Sequence, residues 1–302
     1  MIYNDEKYIN LYSDFGFKKM FGTDRNKDFL IDFLNELIFD REITDLQYLN
    51  PEQLGRSAAD RRSIYDICCE TKGGEKIIVE MQRGAQDFFK DRNLFYAALL
   101  IQAQGVKGEW NYDLKAVYII GIMDFIINRK KEYADYCYTA ARVCDLRTRE
   151  EYHDKLTFIS LEMPKFKKTE NELETHFDKW LYVLKRLPYL EERPDAFRER
   201  IFQRLFTEAS ISALSKAERA EYELSVKVMR DNYSVEQASR NEGRAEGMKE
   251  GMEKGMEKGM DMGMDKKAIE VARNLLADGL SVEYVARISG LSPERIKELN
   301  SD

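Results

Sequence analysis

The chain has 302 residues, a formal net charge of −7 and only two histidines. Its 43% hydrophobic content can fill a sizeable core. The sequence contains no run of about 18 uncharged apolar residues, so it predicts no membrane-spanning helix. The negative charge excludes a general electrostatic attraction to nucleic acid, and the scarcity of histidine disfavours His-based hydrolysis. Because the N-terminal stretch lacks the pattern of a signal peptide, we expect a cytoplasmic protein with no membrane partner.

The hydrophobic pattern predicts alternating helices and strands up to about residue 165. In chain order these are a helix in "DRNKDFLIDFLNELI", a hairpin of "IYDICCET" and "KIIVEMQ", a helix in "DFFKDRNLFYAALLIQAQG", and strands in "LKAVYIIGIMDF" and "KLTFISLEMP". The run "LKAVYIIGIMDF" is almost wholly apolar, so we expect it inside a sheet that is covered on both faces. This order predicts an α/β domain with a mixed sheet over residues 1–165.

After residue 165 the chain has three further segments, and the first two are predicted to be helical or to act as a spacer. Residues 166–240 have apolar positions at helical spacing and no evident chemistry. In 241–265 a glycine recurs every fourth residue, with methionines forming a second stripe. Glycine disfavours a helix by roughly 1 kcal/mol relative to alanine, so this segment is either a loose spacer or a self-association helix that makes a homo-oligomer.

The last segment, 266–302, contains three short helical patterns with glycine-bearing turns. This arrangement resembles the helix-turn-helix of small DNA-binding modules. The segment has as many acidic as basic residues, whereas a DNA reader usually shows a basic excess. The alternatives are therefore a DNA-binding tail and a helical module that binds protein.

The predicted hairpin has two acidic side chains that can lie opposite each other. If the turn is a three-residue loop over Lys72–Gly74, paired positions sum to 146 and Asp66 stands opposite Glu80. Side chains directly opposite one another in an antiparallel pair are about 5 Å apart, so two ionised carboxylates would repel. A divalent cation would offset the repulsion; the alternatives are a protonated carboxyl or an ion pair with Arg62 or Arg83.

These residues also carry a resemblance to a known family. Asp66 followed by Glu80-Met81-Gln82 resembles the PD-(D/E)XK nuclease signature. Together with "SDFGFKKMFGTDRNKDFLIDFLNELI" and "RNLFYAA", it is similar to the bacterial PD-(D/E)XK nuclease family transposases, relatives of the recombination-promoting nucleases. The resemblance implies a restriction-endonuclease-like α/β fold, a mixed sheet flanked by helices and followed by an all-helical C-terminal region.

The resemblance also implies roles for the hairpin residues. Asp66 and Glu80 would hold Mg²⁺ or Mn²⁺, with the Met81 carbonyl as a further ligand. Gln82 stands where the wider superfamily has lysine, and E-x-Q is a familiar form in this subfamily. A glutamine offers only hydrogen bonds, so Gln82 would position the attacking water and activation would depend on the metal.

Other charged residues are candidates for support and for substrate binding. Asp14 and Lys18 are four apart on a predicted helix, where they would either support the site or form a surface ion pair. The candidates for DNA phosphate contacts are Arg62, Arg83, Lys90 and Arg92. The leading hypothesis is a metal-dependent DNA endonuclease. A non-catalytic nucleic-acid- or protein-binding module and an RNA-directed nuclease are the alternatives.

Overall fold

The structure is a computed structural model and describes residues 6–49, 65–84, 88–106 and 108–299. Within these ranges six strands form one sheet in the order β1-β2-β3-β4-β6-β5. They are β1 (Leu46–Tyr48), β2 (Ile67–Thr71), β3 (Lys76–Gln82), β4 (Val117–Met123), β5 (Tyr138–Cys144) and β6 (Glu151–Glu162). β3, β4 and β6 run parallel and the remaining pairs run antiparallel, so the sheet is mixed as predicted.

Helices cover both faces of this sheet. They are α1 (Asp14–Phe21), α2 (Lys27–Asn35), α3 (Phe89–Gln102), α4 (His176–Arg186) and α5 (Arg200–Glu208). One face packs against apolar residues of α1, α2, α4 and α5, and the other packs against α3. The predicted α/β fold, a mixed sheet flanked by helices, is confirmed.

Strand β4 lies in the middle of the sheet, and all of its residues are buried. Tyr118 and Ile120 point into the larger core, while Val117 and Ile119 point toward α3. Because side chains alternate along a strand, a strand covered on both faces must be apolar at every position. This is the reason for the continuous apolar run in the sequence.

The hairpin of β2 and β3 has the predicted register. Ile67 lies opposite Val79, and the N–H of Thr71 donates to the carbonyl of Glu75 at 2.9 Å. Three residues, 72–74, are left in the turn, and Gly74 has φ +90°, a conformation that favours glycine. The sum of 146 for paired positions is therefore confirmed.

The large core extends well beyond the sheet. The ring of Trp180 in α4 lies 5.8 Å from that of Phe21 and 5.6 Å from that of Phe33, so α4 packs directly on α1 and α2. Phe202 and Leu205 of α5 are also fully buried in this core. Residues Met1–Tyr233 form one compact unit.

The second compact unit is Ser234–Asp302. The Gly/Met repeat lies within a continuous helix, α6 (Lys216–Ala277), and is followed by α7 (Val282–Ser289) and α8 (Pro293–Leu299). Ala272, Val285 and Ile296 form a small buried core between the three helices. Among the helices of the described residues, none is apolar over a stretch long enough to cross a lipid bilayer.

Candidate active site

The candidate site lies where the β2–β3 ladder ends. The last backbone pair is Ile67 with Val79, so the N–H of Met81 has no partner on β2. Instead it donates to Oδ2 of Asp66 at 2.7 Å. The tertiary structure thus brings the Asp66 carboxylate against the peptide that joins Glu80 to Met81, at the end of the hairpin predicted from the sequence.

The environment of both carboxyl groups disfavours their charged forms. Glu80 is only 6% exposed, and burial raises its pKa to about 7, with the charge of Arg92 lowering and that of Asp66 further raising it. Burial also raises the pKa of Asp66, against the hydrogen bond from the Met81 N–H, which lowers it. Two partly desolvated carboxyls in one place are a common feature of functional sites.

Arg92 of α3 contacts two of the hairpin side chains. Its Nη2 lies 3.2 Å from Oε2 of Glu80 and also donates a hydrogen bond to Oε1 of Gln82. The guanidinium carbon lies 6.0 Å from the ring centroid of Phe89 and 5.9 Å from that of Tyr96. Arg92 was expected to contact phosphate; in the structure its guanidinium contacts the side chains of the candidate site.

A glycine in β4 determines how closely α3 approaches the site. Gly121 is the register partner of Glu80 on the neighbouring strand, and a Cβ atom there would lie 2.7 Å from Cζ of Phe89. The Phe89 ring therefore rests on the glycine. Phe89 is the first residue of α3, so this contact sets how closely the helix packs on the sheet. At this distance Arg92 reaches Glu80.

Asp14 and Lys18 lie in the predicted helix, α1. The two form an i,i+4 ion pair with 2.7 Å between Lys18 Nζ and Asp14 Oδ1. Both are also close enough to Asp66 to affect its pKa, which Lys18 lowers and Asp14 raises. The two sequence-based interpretations, a surface ion pair and a supporting pair beside the site, are thus compatible.

Of the other basic candidates, the structure describes Arg83 and Lys90. The predicted ion pair of Arg83 with the hairpin carboxylates is wrong. Its Nε lies 3.4 Å from Oδ2 of Asp124 instead. Because side chains alternate along a strand, Arg83 points to the opposite face of the sheet from Gln82. Lys90 is exposed on α3. Arg62 lies outside the described residues.

The donor set can be compared with the needs of a metal ion. Asp66, Glu80 and the Met81 carbonyl supply oxygen only, which suits the hard ions Mg²⁺ and Mn²⁺. The Met81 carbonyl points to the same side of β3 as its N–H, hence toward Asp66. Across the described ranges no group of three or more His, Cys, Asp or Glu could hold a metal. The residues therefore fit an ion that keeps several waters rather than one enclosed by protein ligands.

Sequence profiles of known families match both parts of the chain. The profile described as PD-(D/E)XK nuclease family transposase matches residues 11–239. The chain belongs to this family. A second profile, described as the C-terminal HTH domain of the Rpn/YhgA-like nuclease family, matches residues 265–301. The PD-(D/E)XK resemblance and the helix-turn-helix resemblance of the tail are thus confirmed, and the protein has a nuclease- or transposase-related function. Searches of curated proteins and of solved structures gave no match.

Two features of the site in this PD-(D/E)XK member were not predicted from its sequence. The pairing of Arg92 with Glu80 depends on how α3 crosses the sheet, which no local pattern encodes. Asp124 accepts hydrogen bonds from Arg83 and, at 2.8 Å, from the Gly84 N–H. It directly follows the buried strand β4, and polar residues at the carboxyl ends of parallel strands are frequent ligand-site residues; that signal was available in the sequence.

Proposed function

We propose that this PD-(D/E)XK member is a divalent-metal-dependent DNA endonuclease that hydrolyses phosphodiester bonds during transposition or recombination. The observation that carries the proposal is the convergence of Asp66, Glu80 and Gln82 at one end of the hairpin. Asp66 reaches the Glu80–Met81 peptide at 2.7 Å, and Arg92 joins Glu80 to Gln82. The net reaction adds water to the phosphorus and releases one bridging oxygen as an alcohol.

Asp66, Glu80 and the Met81 carbonyl would hold Mg²⁺ or Mn²⁺. When bound, such an ion lowers the pKa of coordinated water and stabilises charge on the phosphate. Both carboxyls must be ionised to serve as ligands. Because burial raises the pKa of Glu80 to about 7, the site would be fully available to a metal only above neutral pH.

Gln82 would position the attacking water. Its Oε1 accepts a hydrogen bond from Arg92, which fixes the orientation of the amide and leaves Nε2 3.4 Å from the Arg83 carbonyl. Glutamine has no charge, so Arg92 would provide the positive charge that balances the developing negative charge on the phosphate. Asp14 would orient Lys18, which would contact a phosphate of the bound strand.

DNA is the proposed partner of both compact units. Lys90 and Arg83 are candidates for phosphate contacts that position the strand without reading its sequence. The tail matched by the HTH profile would add contacts, although its balanced charge favours a few specific contacts over general attraction to the backbone.

Plasmid nicking by the full chain tests the proposal. The reactions contain Mg²⁺, Mn²⁺, Ca²⁺ or EDTA and compare the wild type with Asp66→Ala and Glu80→Ala variants of equal foldedness. Glu70→Gln is the matched control, because Glu70 lies on the same hairpin and pairs with Lys76 away from the site. We expect nicking with Mg²⁺ or Mn²⁺ in the wild type and the control, and its loss in both alanine variants.

Two outcomes would contradict this function. If the wild type cleaves RNA and leaves DNA intact, the proposed substrate class is wrong. If neither nucleic acid is cleaved and metal does not bind, the hairpin has no catalytic role and the chain acts as a binding module.

A further inference from the structure

A cavity of about 450 Å³ opens at the carboxyl ends of the three parallel strands. Arg83 directly follows β3, Asp124 directly follows β4, and Met163 directly follows β6; all three line the cavity. In open sheets with parallel strands, ligands bind outside these ends. The volume lies within the usual range for pockets that hold small organic molecules, roughly 300–1,000 Å³.

The lining combines aromatic, apolar and cationic groups. Tyr12 comes from the segment before α1, and Tyr189 comes from the turn after α4. Pro164 and Pro188 add rigid apolar surface. Tyr189 is 72% exposed, so its ring is available to stack on an entering planar group.

The cations in the cavity are incompletely compensated. Arg83 contacts Asp124 only at 3.4 Å, and its Nη1 is buried without a hydrogen-bond partner. Lys185 Nζ donates to the carbonyls of Met163 and Phe166, and burial lowers its pKa. A partly buried cation that lacks a full counter-charge is stabilised by an anionic ligand.

The cavity adjoins the candidate active site through neighbouring residues of the chain. Arg83 follows Gln82 directly, and the N–H of Asp124 donates to the Gln82 carbonyl at 3.2 Å. Tyr12 is separated by a single residue from Asp14, which pairs with Lys18 beside Asp66. A strand whose phosphate lies at Asp66 would have to pass the end of β3 for its adjacent nucleotide to enter the cavity.

We propose that this cavity is a subsite for one unpaired nucleotide of the DNA strand, next to the phosphodiester that is cleaved. Tyr12 and Tyr189 stack on the base, and Arg83 and Lys185 bind its phosphate. A base held in a duplex cannot insert between two aromatic rings without leaving the stack, so the subsite favours single-stranded or distorted DNA. This inference rests on the proposed function and specifies its substrate class.

Equilibrium binding of the full chain to short DNA in EDTA tests the subsite without any cleavage. The variant is Tyr189→Ala, and the control is Tyr152→Ala, whose side chain is 77% exposed on β6. Because base–aromatic stacking contributes about 1–3 kcal/mol, Tyr189→Ala should weaken single-strand binding about fivefold or more and leave duplex binding within about twofold. The control should change neither. Equal affinities of the wild type and Tyr189→Ala for single-stranded DNA would overturn the proposal.

Substitution of a cation gives a second, independent measurement. Arg83→Gln should lower the slope of single-strand affinity against salt by about one unit, as expected for one lost phosphate contact. The control is Arg147→Gln, an exposed arginine in the turn between β5 and β6, and it should leave the slope unchanged. An unchanged slope in Arg83→Gln would contradict the phosphate contact.

The subsite and the nuclease activity can fail separately. If the wild type nicks plasmid in Mg²⁺ but Tyr189→Ala binds single strands normally, the subsite is wrong and the nuclease proposal stands. If Tyr189→Ala loses single-strand binding while no condition gives cleavage, the subsite stands and the nuclease proposal fails.

Discussion

Nη2 of Arg92 lies 3.2 Å from Oε2 of Glu80 and also donates a hydrogen bond to Oε1 of Gln82. The positive charge next to the buried carboxylate therefore comes from α3, outside the hairpin that carries the D…E-x-Q motif. One guanidinium contacts both a proposed metal ligand and the proposed water-positioning amide. Replacing Arg92 should therefore change both the cleavage rate and the pKa of Glu80.

Arg92→Gln should reduce cleavage by about 100-fold, as expected when one preorganised cation is removed from a catalytic site. It should also shift the acid limb of the pH–rate profile upward, because the Arg92 charge lowers the pKa of Glu80. Lys90→Gln, exposed on the same helix, is the control and should change the rate only a few-fold. A reduced rate with an unmoved acid limb would assign Arg92 to substrate binding instead.

Glu80→Gln should stabilise the metal-free protein at pH 8. The folded-state pKa of Glu80 is raised to about 7 from 4.5, so the wild type loses unfolding free energy as the pH rises between these two values. The variant lacks this loss and should be more stable by on the order of 1–3 kcal/mol above pH 7, with no gain below about pH 4.5.

Urea unfolding in EDTA at several pH values measures this difference. Glu70→Gln on the same hairpin, whose side chain is 36% exposed, reports the effect of removing a less buried carboxylate. A Glu80→Gln variant that is less stable than the wild type at pH 8 would mean that the pair with Arg92 outweighs the cost of burying the charge.

Asp66→Asn should separate the structural role of Asp66 from its role as a metal ligand. Asparagine retains an oxygen that can accept the Met81 N–H, now 2.7 Å from Oδ2, but it lacks the charge that a divalent cation requires. The wild type should gain about 2.7 kcal/mol of stability with Mn²⁺ at 100 times its Kd, and the variant should gain almost none.

Thermal unfolding with increasing Mn²⁺ checks this expectation, with Glu70→Gln as a control that should respond like the wild type. If Asp66→Asn were stabilised as much as the wild type, the ion would bind elsewhere on the chain.

Gly121→Ala should impair cleavage although Gly121 carries no functional group. The added Cβ would lie 2.7 Å from Cζ of Phe89, so α3 must move and Arg92 would lose its position against Glu80. Overpacking of this kind typically costs about 1–3 kcal/mol of stability. We expect a cleavage rate reduced about tenfold or more, since small displacements of catalytic groups have large effects. Rates measured well below the melting temperature separate misplacement from unfolding, and a folded variant with full activity would contradict this account.

Self-association through the Gly/Met repeat, one of the two alternatives for this segment, predicts a concentration-dependent oligomer. Met252 and Met256 are 75% and 68% exposed on α6, and Cβ atoms on the neighbouring glycines would meet nothing within 4 Å. Met252→Gln combined with Met256→Gln should weaken the oligomer about tenfold or more in sedimentation equilibrium. Met262→Gln is the control, because Met262 is two residues off the period-four stripe and lies on another side of the helix. A wild type that stays monomeric at every concentration would exclude the homo-oligomer.

The local sequence determined the elements and much of the site. Apolar periodicity identified α2, α3 and β4, and the glycine pair identified the hairpin turn; the structure decided that the turn has three residues and so sets the register of Asp66 and Glu80. The elements and the position of the turn depend on side-chain alternation and local turn conformation, which act over a few residues and can be read from the chain alone.

Only the tertiary structure decided which distant groups meet at this site. The crossing of α3 over Gly121 brings Arg92 to Glu80, and the parallel arrangement of β3, β4 and β6 gathers Arg83, Asp124 and Met163 around one cavity. These contacts join elements that are far apart in the sequence, so they depend on the packing of the whole core. The sequence alone therefore predicted the carboxylates of the site, whereas the fold supplied the cation that balances them and the pocket beside them.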